Sequence, residues 1–210
     1  MAESRRYVLA LTGASGVAYG RRLLDVLSRS GAAVHFVVSD AGCKVIAHEL
    51  GIPVDPNDGP GVVRALLGEE PSNVTVHHYK DFETPIASGS FRHDGMAIVP
   101  CSGGTLGRIA CGSSTNLIER AADVCFKERR KLILVPRETP YSEIMLENML
   151  RVTRAGAIVL PASPGFYSGE TKVEDMVDFI VSRVLDHLGV ENQLVRRYGE
   201  PARRRHPEED

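Results

Sequence analysis

The chain reads as an α/β protein: a single doubly wound parallel-sheet domain, a Rossmann-like three-layer sandwich. Three observations predict it. Short runs of strand length are apolar throughout rather than alternating, as in strands covered on both faces. These runs alternate with longer amphipathic segments, the pattern of repeated strand–helix–strand units. Small-residue breaks follow several of the strands, at the place where doubly wound sheets meet their ligands. A length of 210 residues suits one such domain, expected over residues 1–199 with a polar tail at 200–210.

The elements follow in order. Tyr7–Thr12 is a strand, broken by Gly13-Ala14-Ser15-Gly16, and Val17–Ser30 is a helix. Ala33–Val38 is the second strand and Asp40–Leu50 the second helix. Residues 51–61 hold three Pro and three Gly and read as a loop, with a helical turn or two at Val62–Leu67. Val74–Tyr79 is a third strand, and Asp81–Arg92 is irregular. Met96–Val99 is a strand ending at Pro100. Helices are expected at Thr105–Ala110 and Asn116–Arg130, a buried strand at Leu132–Val135, a helix at Ser142–Ala155 and a last strand at Ala157–Leu160. The final helix is the clearest. Val173, Met176, Val177, Ile180, Val181, Val184, Leu185 and Leu188 keep the i, i+3, i+4, i+7 spacing, with Thr171 and Glu174 as a capping box and Gly189 as the stop.

Composition narrows the function. Hydrophobic residues at 43% and charged residues at 25% are ordinary for a globular chain and exclude disordered, collagen-like and coiled-coil classes. A net charge of −2 gives no basic field for nucleic acid or acidic lipid. No apolar run approaches the ~18 residues of a membrane span, and Met1–Arg6 has no signal-peptide core. Neither a nucleic-acid nor a membrane partner is expected. The four cysteines form no C-x-x-C pair, which points away from zinc and disulfides and toward a reducing cytoplasm.

The residues after the strands carry the chemistry. Gly13–Gly16 opens a helix, where small residues admit a ligand and amide N–H groups face a phosphate or ring edge. The loop lacks G-x-G-x-x-G, so it is no dinucleotide fingerprint, and no Tyr-x-x-x-Lys pair or G-x-S-x-G elbow occurs. Pro100-Cys101-Ser102-Gly103-Gly104-Thr105 repeats the device. Two such loops suit FMN, with one phosphate to neutralise, better than NAD. Cys101 fits a packing role. Arg137 and Glu138 follow the strand at Leu132–Val135, where Arg137 can meet an anion and Glu138 can move a proton. Arg120, Lys127 and Arg130 fit either a solvated helix face or a phosphate site at a subunit junction. Pro161–Tyr167 is a rigid loop that carries two aromatics. His77 and His78 are adjacent and face opposite sides of a strand, and no acidic or histidine cluster has metal-ligand spacing.

Taken together, these blocks resemble the UbiX-type flavin prenyltransferases from about Tyr7 to Tyr198. The matching stretches are Thr12–Gly16, Ala87–Phe91, Pro100–Leu106, Asn116–Val124, Lys127–Arg130, Pro136–Pro140, Leu146–Leu150 and Pro161–Tyr167. The resemblance implies a flavodoxin-like sheet and a homo-dodecamer with sites at subunit junctions. It implies transfer of a dimethylallyl group from dimethylallyl monophosphate to N5 and C6 of reduced FMN, for use by a UbiD-type decarboxylase. By the same resemblance Gly13, Ala14, Ser15, Ser39, Ser102, Gly103, Gly104, Thr105 and Arg137 bind FMN. Tyr167, Arg183 and Lys127 hold the prenyl phosphate with Arg120 nearby, and Glu138 and Glu49 manage protons. Prenyl diphosphate enzymes use Asp-rich magnesium motifs, and none is present, which favours a monophosphate and no metal. The related cysteine-peptide decarboxylases carry a Pro-Ala-Ser-Ala-Asn-type segment, where this chain has Pro161-Ala-Ser-Pro-Gly-Phe-Tyr167.

Overall fold

Among the described residues six parallel strands form one sheet in the order β3-β2-β1-β4-β5-β6. The computed structural model describes residues 5–166 and 172–197, so Tyr167, Thr171, Tyr198 and the tail at 200–210 lie outside the described residues. The strands are β1 Arg6–Leu11, β2 Ala33–Val38, β3 Val74–His78, β4 Gly95–Cys101, β5 Leu132–Pro136 and β6 Ile158–Val159. The helices are α1 Val17–Arg29, α2 Asp40–Leu50, α3 Gly59–Leu67, α4 Gly103–Ala110, α5 Leu117–Lys127, α6 Glu143–Arg154 and α7 Val173–Leu188. All strand pairs are parallel. The chain order reverses about β1 and β4, so a crevice opens beyond their carboxyl ends.

Alternate residues of each central strand feed two cores. Tyr7, Leu9 and Leu11 of β1 pack with Leu23, Leu24 and Leu27 of α1, Ile46 of α2, Leu66 of α3 and Val184, Leu185 and Leu188 of α7. Val8 and Ala10 face the other layer, with Leu106 and Ile109 of α4, Leu117 and Ala121 of α5 and Val152 of α6. Both faces are therefore covered, which is why the strands read as unbroken apolar runs.

The differences from the sequence reading are local. The loop over residues 51–61 ends early, because α3 begins at Gly59. Asp58 caps it by accepting from Gly61 N–H at 2.9 Å, and Pro60 occupies the first turn, where its missing N–H costs nothing. The segment at Asp81–Arg92 contains a 3₁₀ turn at Pro85–Ala87 that buries Ile86 completely. The edge strand β6 keeps only two paired residues. At α7 the Asp175 carboxylate accepts from Lys172 N–H at 3.1 Å, and Gly189 ends the helix with φ 77° as expected. No helix among the described residues is long and apolar enough to cross a membrane.

His35 of β2 lies against His77 of β3, with ring nitrogens 2.9 Å apart and the edge of Phe91 at 4.9 Å between centroids. Burial, reinforced by His77, pulls the His35 pKa down to about 4, and burial with Arg130 nearby does the same to His93. The unfolded chain, with histidines near 6.5, binds more protons than the native one between about pH 4 and 6.5. Stability is therefore greatest above that window and falls as the pH drops through it. His93 is only 8% exposed and accounts for roughly 2–3 kcal/mol of that loss. Urea midpoints should decline from pH 7 to pH 4.5, and less steeply in His93→Gln. A flat profile would count against the buried neutral imidazoles.

Candidate functional site: two loops joined at the strand ends

The register between β4 and β5 shifts between Ile98 and Cys101, which frees the Pro100 carbonyl from the ladder. Thr12, at the end of β1, takes it: the backbone N–H donates to Pro100 O at 3.2 Å and the hydroxyl at 2.8 Å. The same hydroxyl accepts from Ser102 N–H at 2.8 Å. Thr12 is 1% exposed, so these bonds are sheltered from water. They join the loop after β1 to the loop after β4.

Ser102 caps α4, its hydroxyl accepting from Thr105 N–H at 3.3 Å and donating to the Thr105 hydroxyl at 2.9 Å. The amides of Gly103 and Gly104, in the first turn, have no acceptor inside the helix. A Cβ on Gly103 would meet nothing nearer than Met145 Sδ at 3.9 Å, and one on Gly104 only Arg108 Nη1 at 3.4 Å. Among the described residues nothing covers the first turn of α4, so its donors have room above them. Cys101 is fully buried and its thiol is pushed up to about 12 by burial, so it stays protonated and packs, as expected.

The loop after β1 is tighter. Gly16 has φ 112°, and a Cβ there would come within 2.9 Å of the Tyr19 ring. Gly13 is glycine because α2 lies on it: a Cβ would stand 2.5 Å from that of Ala41. Two of the α1 amides expected to be free are occupied. Glu49, at the far end of α2, accepts from Gly16 N–H at 2.9 Å and from Val17 N–H at 2.8 Å, placing its own anion at the positive end of the helix. Ser39 caps α2 by accepting from Gly42 N–H at 3.0 Å. From the end of β5, Arg137 Nε–H donates to Ser15 O at 3.2 Å and closes the crevice on a third side. Burial raises the Tyr19 phenol, with Arg137 opposing, so it remains a neutral hydroxyl beside this contact. Glu138 lines a cavity of about 300 Å³ together with Gly103, Pro140, Ser142 and Met145, which brings it to the open turn of α4.

The other basic residues stand elsewhere. α5 begins beside the end of β3, where Leu117 N–H donates to Tyr79 O at 2.7 Å, and runs back along the sheet. Arg120 donates to Ala87 O at 3.0 Å and to Asp123 at 2.7 Å. Lys127, at the other end of α5, bonds Glu128 at 2.5 Å beside Gly89, close to where Lys131 O receives Met96 N–H at the start of β4. Lys127 therefore sits by the amino-terminal ends of the strands, whereas Arg137 follows the carboxyl end of β5. Arg183 bonds Asp186 at 3.1 Å. It lies about 7.5 Å along α7 from Leu188, which packs on Gly95 at the start of β4. One chain brings together Gly13–Ser15, Ser39, Ser102–Thr105, Arg137, Glu138 and Glu49, but not Lys127 or Arg183. Tyr167 lies outside the described residues.

Two residues escaped the sequence reading in their actual roles. Thr12 closes an otherwise apolar run, and that lone hydroxyl at a strand end was the available signal. The cap by Glu49 had none, because its partners are more than thirty positions away. Among the described residues no group of three His, Cys, Asp or Glu could hold a metal ion.

The fold and the paired loops define a class: a flavodoxin-like protein whose ligand crevice lies between two small-residue helix starts. The comparisons agree. A family model described as Flavoprotein matches residues 1–185. The flavin prenyltransferase UbiX of Halalkalibacterium halodurans is 46% identical over 194 residues, covering 92% of this chain and 93% of that protein. The structure of AnUbiX (PadA1), in complex with FMN and dimethylallyl pyrophosphate, superposes with a TM-score of 0.84 at 42% identity, over 95% of this chain and all of that one. The dodecameric FMN-dependent UbiX-like decarboxylase of Escherichia coli O157:H7 gives a TM-score of 0.80 at 40% identity, covering 93% of this chain and 100% of that one. The chain belongs to the UbiX flavin prenyltransferase family.

Proposed function

We propose that this protein transfers a dimethylallyl group from dimethylallyl monophosphate to N5 and C6 of reduced FMN, without a metal, and that a UbiD-type decarboxylase uses the product. The observation that carries the reading is the meeting of Arg137, Ser15 and the open Ser102–Thr105 turn at one crevice, in a chain 46% identical to a flavin prenyltransferase. The donor set fits a flavin monophosphate: first-turn amides of α4 with no acceptor inside their helix, the hydroxyls of Ser15, Ser39 and Ser102, and one guanidinium for an anion. Gly13, Ala14, Ser15, Ser39, Ser102, Gly103, Gly104, Thr105 and Arg137 would hold it. Reduced FMN supplies the nucleophilic N5 and C6 at which the new bonds form.

The chain's own residues then act on the prenyl phosphate. Breaking the allylic C–O bond leaves negative charge on the phosphate. Lys127, Arg183 and the Tyr167 hydroxyl stabilise it, with Arg120 nearby. Glu138 protonates the departing phosphate or takes the proton from C6, and Glu49 is a second proton carrier. Since Lys127 and Arg183 lie toward the amino-terminal ends of the strands, neighbouring copies in a homo-dodecamer deliver them. The exposed Ile144, Leu146 and Leu150 of α6 suit burial in such an assembly. Residues 1–199 form the working unit, and the protein acts in the cytoplasm.

The test is mass spectrometry of the flavin after anaerobic incubation with reduced FMN and either dimethylallyl phosphate or diphosphate, with excess EDTA present. A gain of one five-carbon unit with the monophosphate is expected; no gain would sink the reading. Flavin binding can be tested separately. Gly104→Leu puts a side chain into open space above α4, so the fold survives while FMN affinity should fall by about 10²-fold or more. Parent-like affinity would put the flavin elsewhere.

A further inference from the structure

Near the end of α7 one carboxylate serves two guanidiniums. Asp186 accepts from Arg197 in a two-point fork, Oδ1 from Nη2 at 2.6 Å and Oδ2 from Nη1 at 2.7 Å. The same Oδ2 accepts from Arg183 Nη1 at a longer 3.1 Å, and Oδ1 from Asn192 Nδ2 at 3.2 Å. The Asp186 side chain is 19% exposed, while those of Arg183 and Arg197 are about half exposed. The hydrogen bonds from Arg197 do most to hold the Asp186 carboxyl below its usual range, against the effect of burial, and Arg183 does least. The carboxylate thus belongs first to Arg197, through the geometry that matches a guanidinium best.

The charge balance gives this order a consequence. Arg183, Asp186 and Arg197 together carry one net positive charge, whereas Arg183 and Asp186 alone carry none. A carboxylate and a phosphate compete for the same N–H donors. We propose that Arg197 is a positioning residue that occupies Asp186 and so keeps the Arg183 guanidinium available to the phosphate of the prenyl substrate. This rests on the reading of Arg183 as a phosphate ligand.

Steady-state kinetics of the full chain with dimethylallyl phosphate test it. Arg197→Ala should raise KM for that substrate by about 3- to 5-fold, the size of one exposed ion pair, with kcat within about twofold. Arg197→Lys, which keeps the charge but loses the fork, should fall between. Asp186→Asn alone should not raise KM, and adding it to Arg197→Ala should return KM to the parent value. That rescue separates charge competition from structural damage, which a second substitution would not repair. A parent-like KM in Arg197→Ala, or a double variant no better than the single one, overturns the proposal. Arg183→Ala tells the two readings apart. If it leaves KM unchanged, Arg183 is no phosphate ligand and both readings fall. If it raises KM while Arg197→Ala does not, only the role of Arg197 falls.

Discussion

Glu138→Gln should slow formation of prenylated flavin by about 10²-fold or more while FMN affinity stays within a few-fold of the parent. Glutamine keeps the size and a hydrogen-bonding end but can neither give nor take the proton. The carboxylate is well placed for the chemical step. It follows β5 immediately after Arg137, lines the same cavity as Gly103, and among the described residues accepts only from its neighbour Thr139 N–H, at 3.1 Å. Its loss acts on charge that changes during the reaction rather than on ground-state binding, so kcat and kcat/KM should fall together. Tyr167→Phe should behave alike, because the role proposed for its hydroxyl is to donate to the leaving phosphate. Near-parent turnover in both variants would mean that the proton and phosphate chemistry lies elsewhere, even with the flavin site correct.

The largest effect on stability is expected at Glu119. This carboxylate is completely buried and accepts from Arg108 Nε, from Thr115 N–H at 2.9 Å and hydroxyl at 2.7 Å, and from Asn116 Nδ2 at 2.7 Å. Burial pushes its pKa up, and the bonds from Arg108, Thr115 and Asn116 overcome that and hold it below the usual range. Glu119→Ala leaves those donors unpaired beside the start of α5. The cost should be about 3–4 kcal/mol, toward the lower end for a broken buried pair because Arg108 can turn to water. For a domain of this size that lowers Tm by about 10 °C. A depressed carboxylate contributes above its unfolded pKa, and the contribution is lost as the pH falls through the folded value. The gap between parent and variant should therefore close in strong acid. A Tm within about 2 °C of the parent at neutral pH would contradict this account.

The sheet was legible because its strands are short, apolar on both faces and separated by amphipathic helices. From that alternation the crevice after β1, β4 and β5 follows by topology, and with it the grouping of Ser15, Ser102 and Arg137. What stayed hidden depends on contacts distant in sequence or on two signals in conflict. The first turn of α3 carries Gly59, Pro60 and Gly61, residues that also mark loops, and only the Asp58 cap resolves them. Glu49 meets the α1 amides through the packing of α2, which no local pattern records. The position of Lys127 was partly readable, since a residue closing a crossover helix must lie near the start of the next strand. The blocks that resemble a family name its residues but not the end of the strands at which each one stands.

The bond pattern around Pro100 has a bearing on how such a site can change. The two ligand-facing loops are fastened through main-chain groups, with a single threonine hydroxyl as the rivet. Their separation is thus a dimension of the sheet, like the fixed throat of a calliper. Exchanging side chains at Ser15 or Ser102 alters what the jaws touch and leaves the gap unchanged. Loss of the Thr12 hydroxyl or a change in backbone length near Thr12 or Pro100 resets it, so variation elsewhere in the loops should retune the prenyl end of the reaction far more readily than the width of the flavin it accepts.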